Sequence, residues 1–147
     1  MSQNNLIYCA SDHGGIALKQ AVIRHLEAKG YEVHDLGANG SQSVDYPDFG
    51  ALLANRLKDD DRAVGVAICG SGIGISIAAN RHSWIRAALV HDETTARLAR
   101  QHNDANVIAL GERTMGTATA LNCIDIFLDT SFEGGRHQRR IDKLTSL

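Results

Sequence analysis

The sequence predicts an α/β fold: a single doubly wound, Rossmann-like sheet of five parallel strands with helices on both faces. Three observations carry this. Short apolar runs alternate with longer amphipathic ones five times in succession. The run AVGVAIC at 63–69 is apolar on both faces, as a central parallel strand is. Proline occurs once, at Pro47, which favours regular architecture with few irregular loops.

The elements follow in order. LIYCA (6–10) reads as the first strand. Gly14 and Gly15 open a helix whose Leu18, Ala21, Val22 and Leu26 fall near one face, and Gly30 stops it. YEVHDLG (31–37) is a second strand, followed by a small and polar loop over 38–48. The second helix covers 49–58, with Asp45 or Asp48 as an earlier start. After the strand at 63–69 comes a short helix over 72–81, then a fourth strand at 85–91. DETTARLARQHN (92–103) is a helix with acidic residues in its first turn, where the macrodipole favours them. NVIALG (106–111) is the fifth strand and TATALNCIDIFLD (117–129) the helix after it. The tail breaks at Gly134 and Gly135 and ends in a short basic helix.

A chain of 147 residues fits one domain, here 1–147 with a helical tail from about 133 to 147. A net charge of −2 and 22% charged residues describe a soluble protein with no global basic bias, so no nucleic-acid partner is expected. No apolar stretch approaches the ~20 residues of a membrane span. The N-terminus shows no basic region ahead of an apolar segment, so no secretory leader is expected. Cys9, Cys69 and Cys123 are odd in number and far apart, which points to a reducing cytoplasm and free thiols.

In such sheets ligands bind beyond the carboxyl ends of the strands. Ser11, Asp12 and His13 follow the first strand there, and Cys69, Gly70, Ser71, Gly72 and Gly74 the third. His102, Asn103 and Asp104 precede the fifth, and Gly111, Glu112 and Arg113 follow it. Most of these are expected on that rim. The glycine string fits neither nucleotide-loop pattern: Ile75 stands where a phosphate-loop lysine would, and the string follows the third strand rather than the first. A thiol at a helix N-terminus is shifted from about 8.5 toward neutrality. Cys69 beside the amides of Gly70, Gly72 and Gly74 therefore suits proton abstraction α to a carbonyl. Taken alone, burial as a small hydrophobe is the favoured reading of that cysteine.

Arg136 and Arg140 are four apart, share a helix face and suit bidentate phosphate contact, although a basic terminal helix is also an ordinary solvated face. Asp12–His13 and His102–Asn103 are the acid/base candidates, with helix capping as the ordinary alternative. The spacing of the histidines shows no metal-ligand pattern.

Five motifs in order carry a resemblance: Asp12-His13-Gly14, Asp45-Tyr46-Pro47, CGSGIGISIAAN (69–80), RQHNDANV (100–107) and EGGRHQRR (133–140). Together they resemble the type B ribose-5-phosphate isomerases, with the galactose-6-phosphate and allose-6-phosphate isomerases, from about Ile7 to Arg140. The resemblance implies an aldose–ketose isomerase of sugar phosphates that needs no metal or cofactor. It makes Cys69 the base that moves a proton between C1 and C2 through a cis-enediolate. One branch of the family places a glutamate base six residues after the cysteine position; Ile75 stands here, which leaves the cysteine branch. The 70–74 loop, Gly70, Ser71, Gly72, Ile73 and Gly74, would stabilise the developing oxyanion. His102 would open the sugar ring with help from Asp12, and Asn103 would bind hydroxyls. His13, Arg113, Arg136 and Arg140 would hold the phosphate, and Tyr46 would approach the sugar. The family also implies a homo-oligomer, dimer or tetramer, with sites shared between subunits.

The alternatives are another substrate of the same chemistry (allose 6-phosphate, galactose 6-phosphate or a tetrulose 4-phosphate) or a non-catalytic sugar-phosphate binding module. His102 favours a ring-opening enzyme over one acting on a tetrose. A thiol redox protein requires Cys9 to approach Cys69 across neighbouring strands.

Overall fold

The first strand begins at Leu6, and a computed structural model describes residues 5–147. The reading of a leader-free N-terminus rests in part on residues 1–4, which lie outside them. The strands are β1 (Leu6–Ser11), β2 (Glu32–Asp35), β3 (Val64–Cys69), β4 (Ala87–Leu89) and β5 (Val107–Gly111). The helices are α1 (Ile16–Ala28), α2 (Tyr46–Leu57), α3 (Ile73–Ala79), α4 (Glu93–Gln101), α5 (Thr117–Asp129) and α6 (Arg136–Thr145), with a 3-10 turn at His13–Gly15.

All strand pairs are parallel, and the sheet order is β2-β1-β3-β5-β4. From β1 the chain moves to β2 on one side and to β3 on the other, so a crevice opens beyond the carboxyl ends of β1 and β3. The register sets Ser11 beside Ile68 and Cys69 beside Gly111. The ends of β1, β3 and β5 therefore stand at nearly one level.

The central strands are buried along their whole length, which explains why VGVAIC and VIALG read as continuous apolar runs. Alternate residues feed two cores. Ile7, Cys9, Val66, Ile68 and Ile108 meet Leu18, Val22, Leu26, Ile124 and Phe127 on one face. Ala10, Ala67, Cys69 and Ala109 meet Leu53, Leu57, Ile75 and Ala79 on the other. The second face uses small strand residues because its helices lie close: a Cβ on Gly50 of α2 would come within 2.7 Å of Ala78 on α3.

Both outer strands are shorter than the sequence reading: β2 is four residues rather than seven and β4 three rather than seven, because each pairs on one side only, β2 with β1 and β4 with β5. Helix α2 begins at Tyr46, in keeping with Asp45, the earliest of the starts that the sequence offers. Asp45 occupies the position before it, and Pro47, fixed in φ and lacking an N–H, suits the first turn. Helix α4 starts as expected, with the Asp92 carboxylate accepting the Thr95 N–H at 2.7 Å in a reciprocal cap. Among the described residues no helix is long and apolar enough to cross a membrane.

One charge pair ties α1 to the end of β2. Lys19 is 0% exposed, and its Nζ donates to Asp35 Oδ1 at 2.6 Å and to Asn39 Oδ1 at 2.7 Å. Burial alone would raise the Asp35 carboxyl. Hydrogen bonds from Lys19 and the Gly37 N–H outweigh it and hold the group below its usual range. A lowered folded pKa means stabilisation that is complete above the ordinary aspartate value of about 3.9 and is lost as pH falls through the folded value. The Asp35 side chain is 29% exposed, so removing it should cost less than breaking a fully buried pair. Asp35→Asn is expected to lower stability at neutral pH by about 2–3 kcal/mol and to flatten the acid limb of the pH–stability curve. Urea denaturation between neutral and acidic pH measures both, and an acid limb unchanged from wild type would contradict the assignment.

Candidate active site

The crevice at the switch point holds a cavity of about 360 Å³, lined by Asp12, Tyr46, Cys69, Gly70, Ser71, Gly74, Arg113 and Thr114. Each element delivers its residue for a local reason. Asp12 follows β1 and caps the 3-10 turn, its carboxylate accepting the Gly14 N–H at 2.9 Å. Cys69 is the last residue of β3, 5% exposed, and its Sγ accepts the Gly72 N–H at 3.1 Å. Helix α3 behind it has only seven residues, and the contact to the sulfur comes from the Gly72 amide of the turn before it. The Ser71 hydroxyl accepts the Ile73 N–H at 3.2 Å and stays at the cavity edge. Ile73 itself points to solvent, 50% exposed.

The turn is held by close backbone packing. Gly72 has φ +77°, and a Cβ there would stand 2.9–3.0 Å from the Leu110 backbone. A Cβ on Gly111 would stand 2.6 Å from the Ser71 backbone. The Arg113 N–H donates to Gly70 O at 2.9 Å and the Glu112 N–H to Cys69 O at 3.0 Å, binding the β5 loop to the thiol loop. Glu112 also accepts the Leu18 N–H at 2.7 Å, which anchors the start of α1 to the same loop. Tyr46, at the head of α2, covers Gly74: a Cβ there would meet its ring at 2.7 Å. His13 stands beside this group, with Nδ1 3.1 Å from both the N and O of Val44, and does not line the cavity. Thr114 does line it, and only its place beside Arg113 in the sequence could have pointed to it.

His102, Asn103, Arg136 and Arg140 do not line this cavity. His102 closes α4 and Asn103 follows it, ahead of β5. A helix-to-strand junction lies where strands begin, so the length of β5 separates them from the thiol. Four residue steps from Val107 to Gly111 are about 13 Å of strand. At this amino edge the His102 ring stacks on His137, centroids 4.3 Å apart. Glu133 Oε1 lies 3.8 Å from His102 Nε2 and 3.6 Å from His137 Nε2. Burial, reinforced by the Arg136 and His102 charges, lowers the His137 imidazole below its ordinary range against the pull of Glu133. Arg136 and Arg140 lie exposed on α6. The sequence places Glu133 and His137 in the EGGRHQRR motif but gives neither a role, because the stacking partner comes from a different element.

The remaining thiols are core residues. Burial pushes Cys9 up to about 12 and Cys123 up to about 11. Cys9 packs on the sheet face opposite Cys69, so the redox pairing fails although β1 and β3 are neighbours.

A parallel sheet whose switch point gathers a thiol, a carboxylate, a hydroxyl and a glycine turn around one small cavity defines a Rossmann-like domain equipped for proton transfer on a small polar substrate. Comparison with known proteins narrows the class. The model of the ribose/galactose isomerase family matches residues 7–144, and the chain belongs to that family. It is 47% identical over 140 residues to the probable ribose-5-phosphate isomerase B of Mycoplasma genitalium, covering 94% of this chain and 92% of that one. It is 41% identical to ribose-5-phosphate isomerase B of Escherichia coli (strain K12), covering 92% and 91%. Among solved structures, ribose-5-phosphate isomerase B of Mycoplasma genitalium with bound ribulose 5-phosphate superposes with a TM-score of 0.93 at 45% identity, over 96% of this chain and 94% of that one.

The glycine packing yields a stability test. Gly72→Ala combines a left-handed residue with backbone overlap, so a loss of about 2–4 kcal/mol is expected in urea denaturation. A loss below about 0.5 kcal/mol would show that the turn relaxes freely.

Proposed function

We infer that the chain interconverts ribose 5-phosphate and ribulose 5-phosphate as an aldose–ketose isomerase, and that two copies complete each site. The observation that carries the chemistry is Cys69 Sγ, set beside the Gly72 N–H on the wall of the cavity. In the aldose direction the sulfur, as thiolate, takes the proton from C2. The electron pair moves through a cis-enediolate, and the proton returns to C1. Negative charge that develops on the sugar oxygens meets the Ser71 hydroxyl and the Gly70–Gly74 loop, preorganised by its packing on β5. Asp12 carries hydroxyl protons at the same wall. Tyr46 and Arg113 bound the cavity on the sugar and phosphate sides respectively.

Ring opening and the rest of phosphate binding are assigned to His102, Asn103, Arg136 and Arg140. They stand at the opposite sheet edge of the same chain, so the reading places them in the cavity of a second copy. What supports this is the exposure of both arginines and of Asn103, together with a thiol cavity that lacks a ring-opening imidazole of its own. His13 completes the phosphate group from its position beside Val44. The closed-symmetry expectation for such an assembly is a dimer, or a tetramer built as a dimer of dimers. The likeness to a relative solved with ribulose 5-phosphate favours a pentose phosphate over the six-carbon alternatives.

Cys69→Ala is expected to lower kcat by about 10²–10⁴-fold while substrate still binds. His102→Ala should lose activity separately. Mixing the two inactive variants and allowing subunits to exchange should restore about a quarter of wild-type activity, because half of the dimers then carry one intact site. No recovery, with exchange verified by mass, would place both residues in one chain's site.

A panel of pentose, hexose and tetrose phosphates, compared as kcat/KM, is expected to show a pentose 5-phosphate leading. A hexose 6-phosphate in front would move the assignment to that branch of the family.

A further inference from the structure

The cluster at the amino edge has the composition of a metal site. His102, Glu133 and His137 each present a ligand atom, and the three atoms lie within 4.8 Å of one another. His137 is 5% exposed, and its Nε2 is buried without a hydrogen-bond partner. That nitrogen faces Glu133 Oε1 at 3.6 Å, too far for a hydrogen bond but close to a coordination edge. Ligand bonds of about 2.0–2.2 Å imply tetrahedral edges of roughly 3.3–3.6 Å. The observed carboxylate-to-imidazole separations are 3.6 and 3.8 Å. The two rings stack 14° from parallel, which sets their ligand nitrogens on the same side as the Glu133 carboxylate, all within 4.8 Å. The other His–carboxylate contacts lack this character. Asp125, beside His25, already holds Lys29 at 2.9 Å, and His34–Glu32 is an exposed pair with no third ligand.

We propose that His102, Glu133 and His137 form a site for a borderline-soft divalent cation of the zinc type, with the fourth coordination position left to water. Two imidazoles and one carboxylate select such an ion over magnesium or calcium, which prefer all-oxygen sites. The ion occupies the nitrogen of His102. Its regulatory consequence, which rests on the reading of His102 above, is reversible inhibition: a coordinated imidazole cannot give its proton to a sugar ring oxygen.

The test uses the full chain carrying Cys69→Ser, so that the thiol does not compete for metal. Zinc is titrated calorimetrically, and cobalt(II) is used as a spectroscopic probe of tetrahedral coordination. One ion per chain is expected, with cobalt absorption of tetrahedral intensity. Glu133→Gln, at an exposed position, and His102→Gln, at a half-buried one, should each weaken binding at least about tenfold, in keeping with the loss of a ligand. Absence of saturable binding, or wild-type affinity in either variant, overturns the site. In the enzyme with Cys69 intact, zinc should inhibit turnover, and a chelator should restore it. Binding confirmed by cobalt without inhibition would leave the metal site standing and remove His102 from the ring-opening step.

Discussion

The arrangement depends on backbone meeting backbone at the carboxyl ends of β3 and β5. The Ser71–Gly72 turn lies against Leu110 and Gly111 so closely that neither glycine has room for a methyl group. That approach turns the Gly72 N–H back onto the Cys69 sulfur and carries the Arg113 loop over Gly70. The Cys69 thiol is thus held by main chain on a rigid strand end, not by a flexible side-chain network. Such preorganisation leaves little to rearrange when charge develops during the reaction. The parallel sheet supplies the rigidity, with β3 and β5 buried along their full length between two helical layers.

A second constraint is directional. Strand-to-helix junctions fall on one edge of a parallel sheet and helix-to-strand junctions on the other. The protein places chemistry on both. The carboxyl edge carries the thiol, carboxylate and hydroxyl; the amino edge carries stacked imidazoles, a carboxylate and a pair of arginines. Side chains alone cannot bridge this separation within one chain.

Much of this was legible in the sequence, and the exceptions have physical causes. Buried central strands announce themselves as apolar runs, so β1, β3 and β5 were readable almost to the residue. β4 was overestimated because its flanking residues are apolar for packing against loops and helices, while the ladder that defines a strand exists on one side only. The start of α2 was legible through Asp45, and Pro47 in the opening turn costs no hydrogen bond. The order β2-β1-β3-β5-β4 depends on long-range pairing that no local pattern encodes. The glycine turn and its cysteine were visible because composition and position coincide there. The place of His102 and Asn103 on the amino edge follows from the same alternation, since it says which edge each junction occupies. Glu133 and His137 had no comparable signal, because their partner comes from another helix.

The segregation of the thiols onto different sheet faces has a chemical consequence. Cys9 and Cys123 are sealed in the core opposite Cys69, so no second cysteine of the chain stands ready beside it. A sulfenic acid formed on Cys69 would have no internal thiol with which to condense into a disulfide. Its repair would fall to small thiols entering through the cavity mouth. An oxidant that outruns them would carry the sulfur on to sulfinic acid and end turnover for good.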